Sequence, residues 1–398
     1  MGFASHGGGA GPHRGRGGPA AVVPRPRDPR GAALDRAGSI RPHSAGGGGR
    51  PPRPRDPPRA PRPRTALLRT HWREPVITRE DLAQAQEAFR ALRGRLAGVI
   101  VGQERVVEVA LWAILARGHV LLEGVPGLGK TLLVRALARA LGLSFSRIQF
   151  TPDLMPADIV GTNVFAGDGF RFLPGPVFAH VVLADEVNRA TPKTQSALLE
   201  AMQEGQVTVG TETHPLPNPF TVLATQNPIE MEGTYPLPEA QVDRFLFKAE
   251  VGFPDERELV EIVRRNTEGE GIALPDPLLS EEAVRRAQAV VAEYPVPRPL
   301  MEYAAALVLA THPESPTAPE AVRRYVQYGA SPRGSLALVW GAKARAFLAG
   351  RYHVAVEDIR VALRPALVHR IIPNFRADAD GVSAVELVEE AGKAVRAP

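Results

Sequence analysis

One octapeptide narrows the architecture more than any other feature of the chain. Gly124-Val125-Pro126-Gly127-Leu128-Gly129-Lys130-Thr131 fits the spacing GxxxxGK[ST] at every fixed position. It follows a short apolar run, His119–Glu123, and opens a helical pattern, Leu132–Leu141. Glycines let successive backbone N–H groups turn inward around a phosphate, and the helix N-terminus adds a partial positive charge. Lys130 is then placed to reach the outer phosphates of a nucleoside triphosphate, and Thr131 to put its hydroxyl on Mg2+.

A second segment supplies the matching chemistry. Val181-Val182-Leu183-Ala184 reads as a buried strand, and Asp185-Glu186 emerge from its C-terminal end. Open α/β sheets bind their ligands at that end. Asp185 is expected to hold Mg2+ through water, and Glu186 to polarise an attacking water as general base. A GTPase would carry an NKxD-type guanine reader, and none is present; Asp158-Ile159-Val160-Gly161 matches DxxG, a length expected by chance. Two consecutive carboxylates point to water activation, hence to ATP hydrolysis.

Composition excludes several other chemistries. The chain has 398 residues and no Cys, so disulfides, thiolate metal sites and cysteine nucleophiles are ruled out. Its ten His are scattered without metal-binding spacing. No uncharged apolar run approaches the roughly 18 residues of a membrane span, and a cytoplasmic location is expected. The net charge of +5 is misleading. Residues 1–70 hold 14 Arg, no Lys and three Asp, whereas the remaining 328 residues carry a net charge of −6.

Strand and helix patterns alternate after the first 70 residues. Residues 1–64 contain 14 Gly, 13 Pro and one aromatic, Phe3, too little apolar surface to offset ordering entropy. Residues 1–70 are therefore expected to be a disordered arm. It reads as a dispensable extension, with a nucleic-acid or acidic-surface contact and a transit peptide as alternatives. Thr78 and Asp81 resemble a capping box. Leu82, Ala85, Phe89, Leu92 and Leu96 then follow at amphipathic spacing. Further strands are expected at Phe145–Phe150, Thr221–Ala224 and Phe245–Lys248, giving a parallel sheet covered by helices on both faces. Hairpins are expected at Val164–Phe172 and around Gly210. From Asp255 onward the pattern is helical, with no convincing strand. A small-molecule kinase would not need a helical second domain of that size.

At this point the chain resembles a known family. Val101-Gly102-Gln103-Glu104, the octapeptide, Asp185-Glu186-Val187-Asn188-Arg189-Ala190 and Ala224-Thr225-Gln226-Asn227-Pro228 look like an AAA+ ATPase. The stretch from Glu232 to Phe245, Glu-Gly-Thr-Tyr-Pro-Leu-Pro-Glu-Ala-Gln-Val-Asp-Arg-Phe, is similar to the MoxR subfamily. The resemblance covers about residues 76–398. It implies an α/β P-loop core at 76–252, with helices on both faces of a parallel sheet, followed by an all-α lid domain at 253–398.

The resemblance also implies roles for single residues. Val101 and Gly102 would line the adenine. Asn227 matches sensor 1, which helps orient the water. Arg244 matches the arginine finger, reaching the γ-phosphate held by a neighbouring subunit. Arg333 matches sensor 2, contacting ATP from the lid; Ser331 and Pro332 make a good helix start, so Arg333 falls in a first turn, where a cation needs a facing anion. Arg189 could serve the interface as well. The two hairpins resemble loops that press on substrate in related rings. The implied protein is a homo-oligomeric, hexameric motor using ATP and Mg2+, with chaperone-like action on protein clients, often those with a von Willebrand A domain. Nucleic acid is not expected except through the basic arm. The rival readings are a nucleic-acid or transcription-activating motor and a nucleotide-gated scaffold with little turnover.

Overall fold

The structure, a computed structural model, describes residues 78–398 apart from 168, 228–232 and 269–272. The expected arm at 1–70 lies outside the described residues. The first helix, α1 (Arg79–Ala97), starts at the expected capping box. Thr78 Oγ1 accepts the Asp81 N–H at 3.1 Å, and the Asp81 carboxylate accepts the Thr78 N–H at 2.9 Å. Phe89, Leu92 and Leu96 are buried on one face, as their spacing requires.

Strands and helices then alternate: α2 (Glu104–Leu115), β1 (Val120–Glu123), α3 (Lys130–Ala140), β2 (Phe145–Gln149) and the short α4 (Pro156–Val160). A hairpin follows, β3 (Gly161–Ala166) with β4 (Gly169–Pro174), then β5 (Val181–Asp185) and α5 (Pro192–Glu204). A second hairpin, β6 (Gln206–Val209) with β7 (Glu212–Pro215), precedes β8 (Thr221–Gln226), α6 (Glu239–Val242) and β9 (Phe247–Glu250). Five strands form one parallel sheet in the order β2-β5-β8-β1-β9.

Alternation along the strands splits the core in two. Val120, Leu122, Val181, Leu183 and Leu223 face one cluster, whereas Leu121, Val182, Ala184, Val222 and Ala224 face the other. Both faces are therefore covered, which accounts for the continuous apolar runs in the sequence. The last strand differs from its expected span of Phe245–Lys248. The Phe245 N–H still bonds Val242 O at the end of α6, so the ladder begins only at Phe247, opposite Val120.

The rest of the chain is helical: α7 (Glu256–Thr267), α8 (Glu281–Glu293), α9 (Arg298–Leu309), α10 (Glu320–Tyr325), α11 (Pro332–Leu348), α12 (Val356–Leu367), α13 (Phe375–Asp380) and α14 (Ala384–Ala394). One short antiparallel pair departs from the sequence expectation, β10 (Val326–Tyr328) with β11 (Ile372–Pro373). Two or three residues are too few to display a period-two pattern. The helical region shares the larger hydrophobic cluster with one face of the sheet. Phe247 of β9 is its hinge of contact: the ring lies edge-on to Trp112 of α2 and against Gly341 of α11.

Inside that region a buried carboxylate anchors the fold. Asp358 is fully buried and pairs with Arg345 and Arg351. Burial would raise its pKa, but the hydrogen bonds from Arg351, Ala355 N–H and Arg345 outweigh that and hold it below the ordinary value. The two hairpins are joined by a different contact: the Phe172 ring stacks on His214 at 3.8 Å with 9° between planes. Phe165 and Phe170 remain 70% and 78% exposed at the first hairpin's far end. Among the described residues no helix is long and apolar enough to cross a membrane.

Candidate functional site

Strand register brings the separate sequence motifs to one place. Glu123 lies opposite Gln226, and Gln149 opposite Asp185. The chain segments leaving β1, β5 and β8 therefore surround one cavity of about 240 Å3. Pro126, Gly127, Gly129, Lys130 and Thr131 form one wall; Asp185, Glu186 and Asn227 form the other, joined by Arg147.

The loop's shape follows from its glycines. Gly127 and Gly129 have φ of +85° and +74°, a region in which an L side chain is strained, and Gly129 caps α3. Gly124 is tied to β8 by its N–H to Gln226 O at 3.3 Å. The Lys130 ammonium donates to Gly124 O at 2.6 Å. Burial lowers the Lys130 pKa, an effect opposed by Asp185 and Glu186. Val125 and Leu128 stand outside the cavity wall, Leu128 packing against the larger core cluster.

The two carboxylates are held by partners of which only Arg189 carries a role expected from the sequence, and that role is a different one, at a subunit interface. Thr225 Oγ1 donates to Asp185 Oδ1 at 2.7 Å and accepts the Glu186 N–H at 2.8 Å. Arg147 donates to Asp185 Oδ2 through Nη2 at 2.7 Å and Nε at 3.1 Å. Gln149 Nε2 donates to Glu186 Oε2 at 2.8 Å, and Arg189 Nη1 donates to the same oxygen at 3.0 Å. Glu186 itself has φ +57°, a conformation rare outside glycine that costs of order 1–3 kcal/mol. The hydroxyl of Thr225 on its N–H helps to hold it there.

The remaining expected residues lie apart from the cavity wall. Val101 and Gly102 form the turn before α2, with the Glu258 carboxylate of α7 lying against Gly102. Arg244 follows α6 and donates to Leu199 O at 3.1 Å. Arg333 sits in the first turn of α11, where Ser331 caps the helix as its residue type requires. The anion facing it is Asp243, whose Oδ2 stands 3.1 Å from Arg333 Nη1. Asp243 also accepts from Ser331 Oγ and, through Oδ1, from Arg370 Nε at 2.9 Å.

The cavity offers hard oxygen donors for a cation, the Thr131 hydroxyl and the Asp185 carboxylate. No group of three or more His, Cys, Asp or Glu that could hold a metal occurs among the described residues. That combination suits Mg2+, which keeps several waters and shares phosphate oxygens rather than needing a protein cage.

Fold and cavity together define a P-loop nucleotide-binding domain followed by a helical lid. Residues 119–247 match the family profile described as ATPase family associated with various cellular activities (AAA), and residues 319–391 match that of the AAA lid domain. The chain is 46% identical over 289 residues to Chaperone MoxR1 of Mycobacterium tuberculosis, covering 72% of this chain and 76% of that protein. It is 44% identical over 304 residues to the uncharacterized protein YeaC of Bacillus subtilis, covering 75% and 92% respectively. A solved structure from Cytophaga hutchinsonii, provisionally described as an ATPase, superposes with a TM-score of 0.76 at 42% identity. It covers 80% of this chain and 97% of its own. The chain belongs to the MoxR family of AAA+ ATPases.

Proposed function

We propose that this protein is an ATP-hydrolysing ring motor, hexameric and cytoplasmic, that remodels or matures partner proteins. The observation that carries this reading is the meeting of the glycine loop, Lys130, Thr131, Asp185, Glu186 and Asn227 around one cavity. Backbone N–H groups of the loop, with the N-terminus of α3, receive the phosphates. Val101 and Gly102 flank the base. Lys130 exchanges its bond to Gly124 O for the β- and γ-phosphate oxygens. Thr131 would hold Mg2+ through its hydroxyl and Asp185 through water, and the ion would neutralise phosphate charge. Glu186 accepts a proton from water oriented with Asn227.

Neither Arg244 nor Arg333 lines this cavity in its own chain. The family resemblance, which matches Arg244 to the arginine finger, assigns it to the γ-phosphate held by the next copy, where a cation is worth about 10³–10⁵ in rate. Arg333 links the nucleotide state to the lid through its place at the start of α11. The protein clients are expected to include von Willebrand A domain proteins; the name of the 46% identical chaperone supports a chaperone-like role. The test is Glu186→Gln, which should abolish turnover while retaining ATP binding, beside Lys130→Ala, which should weaken binding itself. Turnover of Glu186→Gln equal to that of the parent would overturn the catalytic assignment.

A further inference from the structure

Arg370 follows α12 and belongs to none of the motifs in the sequence. Its side chain is 1% exposed, an expensive position for a guanidinium unless every donor is met. Every donor is met. Nε donates to Asp243 Oδ1 at 2.9 Å; Nη1 donates to Leu246 O at 3.1 Å and to Ala366 O; Nη2 donates to Phe245 O at 2.7 Å and to Asp243 O at 3.2 Å. Four of these five acceptors lie in residues 243–246, on both sides of Arg244. The rigid planar fork fixes their directions as a lysine ammonium would not. Burial lowers the pKa to about 10, against the pull of Asp243, so the group stays charged at neutral pH.

The same segment meets the lid a second time. The second carboxylate oxygen of Asp243 takes Arg333 Nη1 at 3.1 Å and Ser331 Oγ at 3.0 Å. Arg244 is thus bracketed by backbone atoms whose placement is set from the helical region, while its own guanidinium is half-buried against Leu199 O.

We propose that Arg370 is the positioning residue for Arg244, fixing the 243–246 backbone to the lid so that Arg244 is correctly placed for its neighbour's cavity. This rests on the assignment of Arg244 to the neighbour's nucleotide. A misplacement of about 1 Å in such a group can cost roughly a hundredfold in rate.

The test uses mixed rings of full-length chains. Lys130→Ala chains keep Arg244 but lose the phosphate grip; Arg244→Ala chains keep the grip. Mixed together, they should recover turnover where an intact cavity meets an intact Arg244. Adding Arg370→Lys to the Lys130→Ala chain should lower the recovered turnover by about a hundredfold. Adding it instead to the Arg244→Ala chain should leave both the recovered turnover and the affinity for a fluorescent ATP analogue within about twofold. Equal loss from both placements, as misfolding would give, overturns the inference, and so does no loss from either. Arg370→Gln, which keeps two donors without a buried charge, must reproduce the asymmetry. The mix without any change at Arg370 is the control. No recovery there refutes the assignment of Arg244 and this inference with it, whereas recovery with a symmetrical response refutes this inference alone.

Discussion

The hydroxyl of Thr225 stands 2.7 Å from Asp185 Oδ1, and both groups are buried. Because that hydroxyl also receives the Glu186 N–H, one side chain holds both the carboxylate of Asp185 and the backbone of Glu186. Thr225→Val should keep the shape and remove both bonds. Loss of a buried partner costs about 1–3 kcal/mol, so melting should fall measurably and turnover should fall more than ATP affinity. Thr225→Ser should restore both, which denaturation curves and steady-state rates would check.

Arg147 occupies the other oxygen of Asp185, so a cation of the chain already sits where Mg2+ would be drawn. Arg147→Met should remove that competitor. The Mg2+ concentration giving half-maximal binding of a fluorescent ATP analogue should drop severalfold. An unchanged Mg2+ dependence would mean that the pair yields to metal at no cost.

Acid should weaken the fold through its buried histidines. His119 Nδ1 accepts the Val222 N–H at 3.0 Å, and Nε2 meets Met202 O at 3.0 Å, which defines the neutral ring protonated on Nε2. Burial holds its pKa down at about 4, against the ordinary 6.5. His369 is likewise held well below the usual value, by burial and then by Arg370. A lowered histidine pKa means that the unfolded chain binds more protons between the two values. The His119 contribution is complete above about pH 6.5 and is lost as pH falls toward 4, at up to roughly 1.4 kcal/mol per pH unit, and His369 adds a loss of the same sign. Melting at pH 7, 6 and 5 should show this slope, and His119→Gln should flatten it.

The Asp358 cluster predicts a different failure. Asp358→Ala leaves Arg345 and Arg351 without their buried partner, so a loss of about 3–5 kcal/mol is expected in denaturant titrations. The cavity residues are untouched by the substitution, so ATP affinity below the melting point should stay near that of the parent.

What could be read from the sequence was local. The glycine loop and Asp185-Glu186 are contiguous, so spacing and residue type defined them, and apolar runs bounded the strands around them. Arg147, Gln149 and Thr225 reach the carboxylates only because β2 and β8 flank β5, and strand order is not written in any single segment. Thr225 lay inside a segment already singled out, one strand end before Asn227; its position at the carboxyl end of a buried strand was the available signal. Asp243 and Arg370 are 127 positions apart, beyond any pattern in the chain. The β9 start was displaced because Phe245 serves the end of α6 rather than the ladder.

The face-to-face contact of Phe172 with His214 makes the two β-ribbons a single lever. A displacement of one ribbon is therefore passed to the other through the stacked rings, beside which the Asn163 side chain approaches Gly210 across the same gap.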